Sequence, residues 1–169
     1  MRFLIAGVMV ASLAGCITPP KPVERRPFVE AEFTKYRTPG TSTIKGQAFL
    51  TTRGGQVRSA AGNEVTLVPN TSISDQWIMV SCNGGLPLTP ADLRYNEFVR
   101  RTVADADGRF SFAGLPAGSY VVTTAVMWSV PVSAYSTSTQ GGMLVDRVWI
   151  EEGKEANLVL SQRNLCQGR

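Results

Sequence analysis

The chain has 169 residues, with 17 Lys and Arg against 13 Asp and Glu, a formal charge of +4, and no histidine. This length suits one domain with a sizeable core, and 43% hydrophobic against 18% charged residues excludes a chain disordered throughout. Without histidine no Ser-His-Asp or Cys-His site, imidazole zinc site or haem-histidine ligation can be built, and so mild a basic surplus gives little ground for a nucleic-acid partner.

The chain opens Met1-Arg2-Phe3 and then runs apolar and small to Gly15. One positive charge followed by such a stretch is the layout of a secretory signal. At 1.5 Å per residue the stretch reaches about 20 Å, short of the ~30 Å hydrocarbon core of a bilayer. Leu13-Ala14-Gly15-Cys16 resembles the bacterial lipobox. The resemblance implies cleavage of residues 1–15 and acylation of Cys16, with several acyl chains making anchoring effectively permanent. Ile17, rather than Asp, follows the cysteine. By the same resemblance the expected location is the cell envelope, lipid-anchored to the outer membrane and facing the periplasm.

Residues 16–42 hold five prolines, which deny them a regular helix or central strand, so they read as a tether. Lys21, Arg25 and Arg26 lie close to the anchor, and Phe28, Phe33 and Tyr36 offer aromatic rings that would pin the later part onto a domain. From residue 43 to 161 the pattern is strand, turn, strand. Thr43–Leu50, Glu64–Val68 and Gln76–Cys82 are β-branched or aromatic runs bounded by Gly, Asn and Pro. Residues 83–98 are less regular, with Thr89-Pro90 suited to cap a short helical turn. Arg101–Ala104 and Arg109–Phe112 flank Asp105-Ala106-Asp107-Gly108 as a hairpin would, with Phe110 and Phe112 on one face. Ser119–Trp128 is apolar on both faces and is expected to be central. Ser133–Gly142, rich in Ser, Thr and Gly, reads as a mobile loop. Leu144–Glu151 and Glu155–Ser161 supply two more strands, and 162–169 form a tail.

The run from Thr102 to Tyr120 joins an Asp-Gly turn, an aromatic strand, Leu115-Pro116-Ala117-Gly118 and a tyrosine opening the next strand. It resembles the carboxypeptidase regulatory-like domains, which belong with transthyretin-like (prealbumin-like) folds. The resemblance implies an all-β, seven-stranded antiparallel Greek-key sandwich over 43–161. It also implies an accessory or structural role rather than catalysis.

The candidate sites fit that expectation. Asp105 and Asp107 echo part of a calcium loop but lack its further oxygen ligands, so a plain turn is preferred and no metal or cofactor is expected. A Ser-Lys dyad is formally open, but no Gly-x-Ser-x-Gly nucleophile turn occurs and no enzyme activity is expected. Cys82 and Cys166 remain after Cys16 and form either a disulfide or two free thiols. Tyr95, Tyr135 and Trp149 are the aromatics proposed for a binding surface, with Trp77 and Trp128 more often core. Trp149 alternates with Arg147 and Glu151, away from Val148 and Ile150. The leading expectation is a non-catalytic envelope module for a protein partner. The alternative is a glycan- or peptidoglycan-binding module using exposed aromatics.

Overall fold

A computed structural model describes residues 19–168. The expected signal segment 1–15 and the expected lipidation site Cys16 lie outside the described residues. Two four-stranded sheets pack face to face. In the first, β1 (Ser42–Thr51) is central, antiparallel to β2 (Val57–Ser59) and β5 (Arg109–Leu115) and parallel to β8 (Glu155–Leu160). The second has the order β4-β3-β6-β7, from Arg100–Val103, Glu64–Pro69, Gly118–Ser133 and Ser136–Ile150, antiparallel throughout.

The two-residue period of each strand sends one face inward. Ile44, Ala48, Phe110 and Leu160 of the first sheet thus meet Val65, Val122, Leu144 and Ile150 of the second, all buried in one cluster. Gly46 is required there: a Cβ at this position would lie 2.4 Å from Cζ of Phe110, whose ring lies over the gap. Tyr120 buries its ring and donates its hydroxyl to the carbonyl of Pro116 at 2.7 Å, closing the corner between β5 and β6.

Several expectations are corrected. The strands number eight among the described residues, and β1–β8 is parallel. Gln76–Cys82 is not a strand: α2 (Ser72–Trp77) continues as a π-helical turn over Ile78–Asn83. Its buried residues Ile73, Ile78 and Cys82 follow helical spacing, and Met79 points to solvent. Arg101–Ala104 and Arg109–Phe112 do not form a hairpin, because β4 pairs with β3 and β5 with β1. The Asp105–Gly108 turn therefore carries the chain between sheets, and Ala48 donates to the carbonyl of Gly108 at 2.9 Å. Ser133–Gly142 is not a loop. Met127↔Gly141 through Pro131↔Thr137 are paired in register, so a long β6–β7 hairpin turns only near 133–136. Threonine favours strands, and here it outweighs the loop-like Ser and Gly.

The N-terminal segment packs on the sandwich. α1 (Glu30–Phe33) and the short 3₁₀ turn after it bury Phe33 and Tyr36, and Phe28 stacks on Phe33 with ring centroids 4.4 Å apart. Tyr36 donates to the carbonyl of Ser119 at 2.9 Å. Burying three aromatic rings outweighs the freedom that the prolines would leave this segment. The helical turn in 83–98 begins after Asp92 rather than Thr89, because Asp92 caps the Arg94 amide at 3.0 Å.

Candidate functional site

Several depressions mark the surface, and two of them take side chains from the irregular-looking stretches. The first lies on the outer face of the second sheet. Outward positions of neighbouring strands are aligned by register, Arg101 with Thr66 and Thr66 with Thr123, and beside them Val68 with Val121. These give a floor that is apolar at Val68 and Val121 and hydroxyl-bearing at its edge. α2 brings Trp77 over the floor, the 3₁₀ turn Leu93–Phe98 brings Tyr95 and Asn96, and the N-terminal segment brings Arg25. The enclosed volume is about 270 Å³.

Each wall is fixed by contacts between segments far apart in sequence. Tyr95 meets Phe33 edge-on at 6.0 Å, and Phe33 packs on Phe98 at 4.7 Å. Val23 donates to Pro87 at 2.8 Å and accepts from Thr89 at 2.9 Å, bridging the N-terminal segment to the 86–89 loop. Gln76 of α2 ties in the same segment, accepting from the Arg26 amide at 2.7 Å and donating to Glu24 at 2.8 Å. Trp77, Tyr95, Val99 and Val145 pack around Val68, Ile78 and Val121 as a second, smaller apolar cluster. Burial pushes the Tyr95 hydroxyl up to about 12, while the nearby Arg25 charge acts in the opposite sense. The hydroxyl thus stays a neutral donor at any physiological pH.

The second cleft, about 1030 Å³, opens at the end of the sandwich between the β1–β2 turn and the projecting β6–β7 hairpin. Trp128, Arg53, Arg58 and Gln140 line it. It is wider and holds one aromatic ring.

The proposed binding aromatics are not brought together. Tyr95 lines the first cleft. Tyr135 sits at the tip of the β6–β7 hairpin, 99% exposed, and Trp149 is 62% exposed on β7 with Lys35 at 5.8 Å from its ring. Trp77, which lines the same cleft as Tyr95, lies in the segment whose composition resembles a strand. Cys82 and Cys166 are joined, with Cα atoms 4.7 Å apart, and Cys166 donates to Met143 at 2.9 Å, holding the tail to β7. Such a bond forms and persists outside the cytoplasm.

Neither cleft lining includes a carboxylate. Ser42-Thr43-Ile44-Lys45 has the Ser-x-x-Lys spacing, but an extended strand separates the pair. Ser42 is buried and donates to the carbonyl of Glu151 at 2.7 Å, whereas Lys45 faces outward and pairs with Glu155. Asp105 spends its Oδ1 on the amides of Asp107 and Arg109, as a turn residue does.

No protein-family model matches the chain, and no curated protein matches it. Among solved structures, the Pseudomonas aeruginosa protein PA1324, described as a "putative carbohydrate binding protein", is similar. The two superpose with a TM-score of 0.70 at 25% identity, covering 80% of this chain and 97% of that one. The dioxygenase domain of a dioxygenase carbohydrate-binding protein fusion from Streptomyces sp. SirexAA-E reaches a TM-score of only 0.29 at 12% identity, over 89% of this chain and 94% of that one. That likeness carries no argument.

Proposed function

We propose that this protein is a non-catalytic carbohydrate-binding module whose site is the Trp77–Tyr95 cleft. The observation that carries the reading is the presence in one cleft of two aromatic rings and an apolar floor, with hydroxyl, amide and guanidinium groups at the edge. A sugar ring has apolar C–H faces and a rim of hydroxyls, so it needs that combination. The volume suits a single ring or a chain end. The likeness to the Pseudomonas protein supports the same reading and moves the weight from a protein partner, the leading expectation from sequence, to the glycan alternative. A glycosidase needs two carboxylates flanking the scissile bond, and the cleft lining offers none.

The finer sequence expectations belong to the same proposal. The block from Thr102 to Tyr120 supports a transthyretin-like, carboxypeptidase regulatory-like ancestry, and the lipobox supports a lipid anchor at Cys16 in the outer membrane. Arg25 lies nine residues beyond Cys16, so the anchor would hold the cleft within about 30 Å of the bilayer. The protein would then present its site to polymers near the membrane, peptidoglycan among them.

The test is a glycan array, with sedimentation on purified cell wall, comparing wild type, Trp77→Ala and Trp149→Ala. The reading predicts binding by wild type and Trp149→Ala and its loss in Trp77→Ala. Equal binding by all three would move the site elsewhere, and no binding by wild type would reject the function.

A further inference from the structure

Arg25 differs from the other well-placed arginines of the molecule. Arg37, Arg94, Arg109 and Arg147 each pair with a carboxylate. Arg25 is half-buried, and among the described residues no carboxylate pairs with it. Its Nε donates to the carbonyl of Thr89 at 2.8 Å, and its own amide donates to Thr89 Oγ1 at 2.9 Å. These two bonds fix the residue from both ends. Within the described residues the terminal guanidinium nitrogens have no partner.

The rest of the lining points the same way. The cleft carries a second guanidinium, Arg101, and no acid. Arg101 is engaged only at the rim, by Glu64 at 3.2 Å, in a pair whose side chains are both more than half exposed. Such pairs hold weakly and exchange easily. The Tyr95 hydroxyl, close enough to Arg25 to feel its charge, has no hydrogen-bond partner among the described residues. A partly desolvated cation without a counter-ion is costly, and an incoming anion relieves the cost. Guanidinium presents parallel N–H groups that match a carboxylate in a bidentate fork.

We infer that the cleft selects an acidic sugar, with the ring against Trp77 and Tyr95 and the sugar carboxylate held by Arg25, Arg101 closing from the rim. The inference rests on the carbohydrate reading and names its ligand class. It also gives the N-terminal segment a part in recognition, because the selecting cation comes from that segment and not from the sandwich.

The experiment is calorimetric titration of the full-length protein with oligogalacturonate, oligoglucuronate and oligomannuronate. Each is paired with its carboxyl-reduced neutral counterpart, and acetate and inorganic phosphate serve as competitors. At least one acidic oligosaccharide should bind roughly 10- to 100-fold more tightly than its reduced form. Arg25→Gln should bring the ratio of acidic to neutral affinity close to one, whatever it does to neutral binding, and Arg25→Lys should keep part of the preference. Glu64→Gln, which releases Arg101, should tighten acidic binding about two- to threefold and leave neutral binding alone, an effect opposite in sign to any loss of fold. Equal affinity for acidic and reduced forms, unaltered by Arg25→Gln, would overturn the acid selectivity while leaving carbohydrate binding intact. Binding of the acids that survives Trp77→Ala and is displaced equally by acetate or phosphate would overturn it as simple anion capture. No binding of either form would overturn both readings together.

Discussion

The two sheets present very different outer faces to solvent. On the first sheet the outward row Ser111, Lys45 and Asn157 and its neighbours Arg109, Gln47 and Val159 line a wide depression of about 590 Å³ that no helix roofs. Its charges are neutralised close by: Lys45 pairs with Glu155, and Arg109 with Asp107. On the second sheet, α2, the Leu93–Phe98 turn and the N-terminal segment are built over the same kind of surface, leaving aromatic walls, an apolar floor and one guanidinium group, that of Arg25, with no carboxylate among the described residues. Strand geometry is common to both. What separates the open depression from the roofed cleft is the added chain on top and where the counter-charges lie.

The comparison can be broken most severely by removing the support under that added chain. Phe33→Ala empties a fully buried site between Phe28, Phe98 and Tyr95 and should cost about 3–5 kcal/mol in denaturant unfolding. Replacing Cys82 and Cys166 together by Ser should cost about 2–5 kcal/mol, since the bond closes a sequence separation of 84 residues. Hydrogen exchange should then rise first in α2 and the following π-helical turn, with β1, β5 and β8 least affected.

Function should divide between the faces in the same way. Trp77→Ala should weaken glycan binding at least tenfold, as truncating a central aromatic anchor does. Lys45→Ala and Asn157→Ala in the open depression should change binding less than twofold and stability by no more than about 0.5 kcal/mol. The smallest effect concerns acid. Asp92 caps the turn that carries Tyr95, and its bonds to the Arg94 guanidinium and amide lower its carboxyl from 3.8 to about 2. A carboxyl lowered on folding supports the native state above its unfolded value and loses that support as pH falls toward the folded one. The free energy of unfolding should therefore carry a small Asp92 contribution that is flat from neutral pH to about 4 and fades between about 4 and 2, and Asp92→Asn should remove that contribution.

How legible these faces were in the sequence follows from the physics of each. The Asp-Gly turn, Phe110, Phe112, the Pro116–Gly118 corner and Tyr120 announce themselves because turn chemistry and two-residue alternation are local. Pairing partners are not local, so Arg101–Ala104 and Arg109–Phe112 look like a hairpin although they belong to opposite sheets. Gln76–Cys82 misleads because β-branched and aromatic residues also suit a short buried helical segment. The signal that points the other way, Thr71 and Ser74 around the start of α2, lies just upstream, where Thr71 donates its amide to Ser74 Oγ at 2.8 Å. Of the cleft, Tyr95 was visible as a candidate. Trp77 and Arg25 do not stand out, since one lies in a strand-like run and the other in a proline-rich stretch, and only the tertiary fold brings both to one cleft.

The chain has three tryptophans, and they occupy three different settings: Trp77 in the covered cleft, Trp128 in the cleft between the sheet ends, and Trp149 exposed on β7. Their indole N–H signals in a heteronuclear NMR titration with oligosaccharide therefore report the site directly. The account predicts a saturable shift of the Trp77 signal while those of Trp128 and Trp149 stay in place. A shift confined to Trp128 or Trp149, or no shift at saturating oligosaccharide, would contradict it.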